Sequence, residues 1–196
     1  MINQNEKHYR KLIRQGATYM VSLPKDDLIE LQWKHGDKIL VEKIGKSIQL
    51  MRSGKPKIFS IGYSGRKIKD FIEILKENKI DYLVDVRNNA FSWNKEFSRN
   101  NIVENLAAHG IKYINLPKLG APKDIRVEIK EYGNRNKFFE LYSKWLQLNI
   151  SYMNLIDVFA RNNNTVLMCL EEDYRNCHRK VIGEKLEEDG YEVIQL

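Results

Sequence analysis

The chain has 196 residues, 42% hydrophobic and 30% charged, with a formal net charge of +7. No apolar run is long enough to cross a bilayer, and the polar opening MINQNEKHYR lacks the apolar core of a secretory signal, so a cytoplasmic protein with no membrane partner is expected. Its two cysteines, Cys169 and Cys177, have no second pair nearby, which matches neither a structural zinc pattern nor a secreted disulfide framework; a disulfide between them would be redox-active in a reducing compartment.

The charge is segregated. Residues 1–57 carry twelve bases against six acids, a net of +6, which leaves +1 for the rest. A polyanion partner is therefore expected at the first quarter of the chain. There the pattern predicts a short strand over 9–13, a turn at Gln15-Gly16 and a strand over 18–23. Pro24 fits the start of a helix with Asp26 and Asp27 in its first turn, Leu28, Ile29 and Leu31 as apolar positions, and Gly36 as its stop. Strands over 38–44 and 47–51 follow, joined by a tight turn at Gly45-Lys46. A unit of about fifty residues is marginal alone, so it is expected to dimerise.

On the Gly16 turn, the run YMVSLPKD and the segment HGDKILVEK, residues 7–52 resemble the SpoVT/AbrB-like family of swapped-hairpin DNA-binding domains. The resemblance implies an intertwined homodimer whose basic strands face DNA, which points to Arg10, Lys11 and Arg14. The alternative is a solvated basic face on a small dimerisation module.

Ser53 to Lys57 is turn-rich and basic, and divides the chain into a domain over 1–54, a linker over 55–57 and a domain over 58–196. Beyond it strands and helices alternate. Strands are expected over 58–63, 80–86 and 113–116, at Val166 and over 191–196. Helices are expected through Ile68, Phe71, Ile72 and Leu75, through Ile102 and Leu106 to Gly110, over 136–159 with a break near Asn149, and over 177–189. This predicts an α/β domain: a parallel sheet with helices on both faces, preceded by a small, mainly β unit. Ligands of such sheets bind at the carboxyl ends of the strands.

That edge collects Tyr63, Ser64 and Arg66, then Asp85 and Arg87, then Cys169 and Glu171. Asp85 interrupts an apolar run, and a carboxylate there needs a partner, Arg87 or Arg179. An ion pair that fixes the loops is as good an account as catalysis. Asn176 reads as an N-cap, which puts Cys177, His178 and Arg179 in the first helical turn, where backbone N–H groups favour an anion and ease ionisation of a thiol. In the loop NNAFSWNKEFSR, Phe91, Trp93 and Phe97 alternate with Lys95 and Arg99, either as a stacking surface for a base or as a flap on the core.

The segments SIGYSGR (60–66), LVDVRNN (83–89) and INLPKLG (114–120), with Cys169 and Cys177-His178-Arg179, resemble the domain of unknown function 488 family. The family's usual proline soon after Arg87 is replaced here by Asn89-Ala90, with Ser92 following. The resemblance implies a fold and a site position, not a reaction. One reading is an enzyme acting on a nucleotide, nucleobase or other anion. Arg179, Arg87, His178, Tyr63, Ser64 and Arg66 would bind it, Cys177 or Cys169 would be the nucleophile, and Asp85 and Glu171 the acid and base. The other is a transcriptional regulator that senses a ligand or oxidant without turnover. Cys169, Cys177, His178 and Glu171 offer metal-binding atoms, but adjacent Cys177 and His178 are hard to aim at one ion from a helix, so neither metal nor cofactor is expected.

Overall fold

A computed structural model describes the chain except residues 1–8, 32, 34, 36, 38, 53, 54, 161 and 162. It forms two compact units, Met1–Gly54 and Lys55–Leu196.

In the first unit β1 (Ile13–Gln15) and β2 (Thr18–Met20) form an antiparallel hairpin with Gln15 opposite Thr18 and Ile13 opposite Met20. The strand expected over 9–13 starts only at Ile13, because the two-residue turn at Gly16-Ala17 sets the register and pairs the three residues on each side of it. Gly16 has φ 62°, a conformation that glycine adopts without penalty. Pro24 is the N-cap of α1 (Lys25–Glu30), with Asp26 and Asp27 in its first turn. This helix ends at Leu31, earlier than expected; the anticipated stop, Gly36, lies outside the described residues. A second hairpin joins β3 (Ile39–Ile44) to β4 (Ser47–Arg52). No residue of this unit whose burial is described is buried.

The second unit runs β5 (Lys57–Gly62), α2 (Ile68–Glu77), β6 (Tyr82–Asp85), α3 (Arg99–Ala107), β7 (Lys112–Asn115), α4 (Lys123–Lys130), α5 (Arg135–Leu148), α6 (Ile150–Ala160), β8 (Thr165–Cys169), α7 (Arg179–Glu188) and β9 (Glu192–Gln195). Its five strands are all parallel, in the order β7-β6-β8-β5-β9. The three central strands, β6, β8 and β5, are buried on both faces and alternate between two apolar cores, as the two-residue period requires. Phe59, Ile61, Leu83, Val166 and Met168 pack with Phe71, Leu75, Ile102 and Leu106 of α2 and α3. Ile58, Val84, Leu167 and Cys169 pack with Tyr142, Ile156, Ile182 and Leu186 of α5, α6 and α7. Asn149 separates α5 from α6 at the expected break.

Neighbouring β6 and β8 send their chains to opposite faces, β6 toward α3 and β8 toward α7. A crevice opens at the carboxyl ends of such a pair. Among the described residues no helix is long and apolar enough to cross a membrane.

Candidate functional site at the carboxyl edge of the sheet

Two buried polar networks meet at that crevice, one on each face of the sheet. The first is built on Asp85, the last residue of β6, whose side chain falls on the α2/α3 face with Leu83. Arg87 lies two residues on and grips it bidentately, with Nε 2.8 Å from Oδ1 and a terminal nitrogen 2.5 Å from Oδ2, while its backbone N–H donates to Oδ1 at 3.0 Å. Tyr113 of β7 donates to Oδ2 at 2.7 Å. The other terminal nitrogen of Arg87 donates to the Tyr63 hydroxyl at 3.1 Å and to the Phe97 carbonyl at 3.0 Å. The Tyr63 and Phe97 rings stack at 4.5 Å, closing the pair from water. A buried ion pair gains strength only with such extra hydrogen bonds. Burial disfavours the Arg87 charge, but the hydrogen bond and charge of Asp85 outweigh it and raise the guanidinium's pKa.

The second network lies on the α7 face. Cys169 ends β8, and its Sγ is 3.1 Å from the Glu171 carboxylate and 3.9 Å from His178 Nδ1. Cys177 Sγ is 3.6 Å from the same Nδ1. His178 Nε2 donates to the Val86 carbonyl at 2.9 Å, and the Tyr142 ring packs on the imidazole at 5.2 Å. Arg179 donates to the Ser60 hydroxyl at 2.9 Å and to the Glu171 carbonyl. Val86 therefore joins the networks, since it lies between Asp85 and Arg87 and accepts from His178.

The helix start expected here is displaced. Asp173 accepts from Arg175 N–H and caps a 3-10 turn over Tyr174–Asn176, so Asn176 closes that turn and does not cap α7. Cys177 is extended (φ −125°, ψ 153°), His178 is the N-cap (φ −58°, ψ −19°), and Arg179 is the first helical residue. Cys177 and His178 thus sit at a bend ahead of the helix, and their side chains converge.

Electrostatics divide the two thiols. Burial raises the Cys177 pKa, but a hydrogen bond from Cys169 and the charges of His178 and Arg179 carry it well below the usual range. Cys169 moves well up, through its hydrogen bond to Cys177 and through burial. His178 is disfavoured as a cation by burial, yet the facing Cys177 raises it. Burial, followed by Cys177, pushes Glu171 up.

Two glycines let the loops close over the site. A Cβ on Gly62 would lie 1.9 Å from the Glu171 carbonyl oxygen, and one on Gly120 would lie 1.9 Å from Asn88 N. Beyond Asn88 a cleft of about 560 Å3 opens at the ends of β6 and β7, lined among others by Asn88, Asn100, Asn101, Asn115, Arg99 and Phe91.

Residues 67–186 match the family described as Domain of unknown function DUF488. The chain belongs to the DUF488 family. The match spans all of the second network except Ser60, and Asp85 with Arg87, but not β5 or β9. No curated protein and no solved structure matches the chain.

Within the second unit, which carries the DUF488 match, the expected site residues fall into three groups. Asp85, Arg87 and Tyr63 share one network, and Cys169, Glu171, Cys177, His178 and Arg179 the other. Ser64 is exposed at the loop, and Arg66 turns away to donate to the Leu196 carbonyl. Arg87 and Arg179, the expected anion binders, direct their hydrogen bonds at the protein and are buried. In the aromatic loop Phe97 is core, whereas Phe91 and Trp93 are exposed, Trp93 by 94%. Tyr113, Ser60, Tyr142, Asn115 and Asn88 were not singled out in the sequence, and Arg99 only as part of the aromatic loop. Their roles follow from strand order and loop packing; the one local signal is the polar run at residues 98–101 where α3 begins. In the first unit Arg10, Lys11 and Arg14 are all exposed.

Proposed function

We propose that this chain is a cytoplasmic DNA-binding homodimer whose DUF488 domain binds a nucleotide or similar small anion at the sheet's carboxyl edge and couples that ligand to DNA binding. The cleft carries the ligand half of the proposal. Asn88, Asn100, Asn101 and Asn115 offer amides that can read a base edge or a sugar, and Arg99, at the start of α3, is the cation among its lining residues. Exposed Phe91 lines the cleft and gives a base a face to stack on, with Trp93 packed edge-on beside it at 5.7 Å.

The basic first unit supports the DNA half. Its exposed Arg10, Lys11 and Arg14 precede or lie in a hairpin, as in the AbrB-like domains it resembles. The lack of any buried residue among those described leaves its apolar side chains for a second copy to cover.

An enzymatic reading is favoured by one observation: Glu171 is only partly buried, and its carboxylate is 3.1 Å from Cys169 Sγ. Cys177 or Cys169 would then attack, and Glu171 and Asp85 would move protons. The burial of Cys169, Cys177 and Asp85 argues for binding ahead of turnover.

The test is an anisotropy titration of labelled duplex DNA with the full chain, at about 50 and 200 mM salt, with and without nucleotides. Six phosphate contacts in a dimer should cost roughly 1000-fold in affinity across that range. A nucleotide should shift DNA affinity, and Arg99→Ala should abolish the shift while leaving DNA binding intact. Affinity indifferent to salt defeats the DNA half. Nucleotides without effect defeat the coupling, and consumption of the nucleotide installs the enzymatic reading.

A further inference from the structure

The buried cluster below the cleft has a chemistry that ligand binding at the cleft does not use. Cys169 Sγ, Cys177 Sγ and His178 Nδ1 all lie within 4.8 Å of one another. The two sulfur-to-nitrogen distances are 3.9 and 3.6 Å. In a tetrahedral zinc site with Zn–S about 2.3 Å and Zn–N about 2.0–2.1 Å, the corresponding edge is about 3.6 Å. Both sulfur-to-nitrogen edges are thus close to those of one coordination tetrahedron, and the sulfur-to-sulfur edge is no longer than 4.8 Å.

The imidazole is oriented for it. The Val86 carbonyl can only accept, so Nε2 carries the proton and Nδ1 turns its lone pair to the sulfurs. That arrangement of a ring N–H held by an outer carbonyl is how metal-binding histidines are fixed. The objection read from sequence, that adjacent Cys177 and His178 cannot meet at one ion from a helix, does not apply, because both precede α7 and the chain bends between them.

A candidate fourth donor and a balancing charge lie beside them. The Glu171 carboxylate is 3.1 Å from Cys169 Sγ but outside the group whose atoms all lie within 4.8 Å of one another, so it would turn toward the ion to complete the shell. Two thiolates and a carboxylate around a divalent ion leave one negative charge. Arg179, 2% exposed with its Nε without a hydrogen-bond partner, stands beside the cluster to balance it.

We infer that Cys169, Cys177 and His178, closed by Glu171, form a binding site for one zinc ion. Thiolate and imidazole donors at tetrahedral spacing select zinc over magnesium or calcium, which require oxygen ligands. The ion would tie the end of β8 to the bend before α7 and, through His178 and Val86, to the loop that floors the cleft.

The experiment loads the reduced full chain with zinc in metal-free buffer, removes excess by gel filtration, and measures zinc per chain and the zinc X-ray absorption spectrum. One ion per chain with two sulfur neighbours at about 2.3 Å is expected. Less than half an ion per chain, or a shell of nitrogen and oxygen alone, overturns the site. Cys169→Ser and His178→Gln should each weaken zinc binding by about 100-fold or more, and the partly exposed Glu171→Gln by roughly tenfold with the fold retained by circular dichroism. Unchanged affinity in Glu171→Gln removes Glu171 as the fourth donor and overturns the closed site. Freshly purified protein with the two cysteines joined and no zinc uptake also overturns it, in favour of a redox pair.

Discussion

The two units of this chain solve the problem of burial in opposite ways. The second unit closes a five-stranded sheet between two apolar cores and even buries its charges, Asp85 against Arg87 and Arg179 against Ser60. Each fully buried Leu, Ile or Phe there contributes about 1.5–3 kcal/mol. The first unit has two hairpins and a helix of six residues, and none of its described residues is buried. A single hairpin is marginal in water, and conformational entropy has to be offset by covered apolar surface. The contrast teaches that the second unit carries its own core, whereas the first leaves its apolar side chains exposed, which is the ground for the dimer proposed above.

The strongest way to break this comparison is to place a charge where the partner should sit. On the β3–β4 hairpin, Val41 pairs with Leu50, and Ile39 and Ile48 share their face with the cations Lys43 and Arg52, while the other face mixes Leu40, Ile44 and Met51 with Glu42, Gln49 and Ser47. The first face centres on the apolar pair Val41–Leu50, yet Val41 is 61% exposed in the single chain. Val41→Asp should abolish dimerisation and DNA binding together, since a carboxylate in a dry interface has no partner. The thermal transition of the DUF488 domain should stay where it is. Light scattering that still reports a dimer, with DNA affinity intact, would show that this face is not covered by a second copy.

The next effect belongs to the other unit. Asp85→Ala strands the Arg87 guanidinium in the interior, and breaking a buried pair in this way costs about 3–5 kcal/mol. For a domain of this size the midpoint of thermal unfolding should fall by roughly 10 °C. A fall of only a degree or two would mean that the network holds little of the fold together, and would return Asp85 to the list of groups kept for chemistry.

Much of the second unit was legible because its strands, buried on both faces, read as apolar runs at 58–63, 80–86 and 166–169. Asp85 stood out for the same reason, as a charge breaking such a run. Helix α4 was invisible: Ile125, Val127 and Ile129 recur every second residue, a strand period, and only Ile125 is buried. The bend at Cys177 was misread because Asn176 is a good cap by type, while the local hydrogen bond that wins is made by Asp173 three residues earlier. The three aromatics of one loop could not be separated either. The 3-10 turn over Lys95–Phe97 carries Phe97 onto Tyr63 and leaves Phe91 and Trp93 outside. The contact of Tyr113 with Asp85 depends on β7 lying beside β6, which is a property of strand order and not of any local stretch.

That contact supplies the smallest and most pointed test. Burial, and after it the Asp85 carboxylate, raises the Tyr113 hydroxyl's pKa above the ordinary tyrosine value. Folding therefore binds this proton more tightly than the unfolded chain does. The stabilisation is fully present below the unfolded pKa, about 10, and is lost as the pH climbs beyond it toward the folded value. Tyr113→Phe keeps the ring and removes only the hydrogen bond, for a loss of roughly 1 kcal/mol at neutral pH. Urea unfolding of the two proteins at pH near 7 and again above about 10 should show the difference between them shrinking in alkali. No difference between the two proteins at either pH would mean that Tyr113 contributes through its ring alone, and that Arg87 by itself satisfies the Asp85 carboxylate.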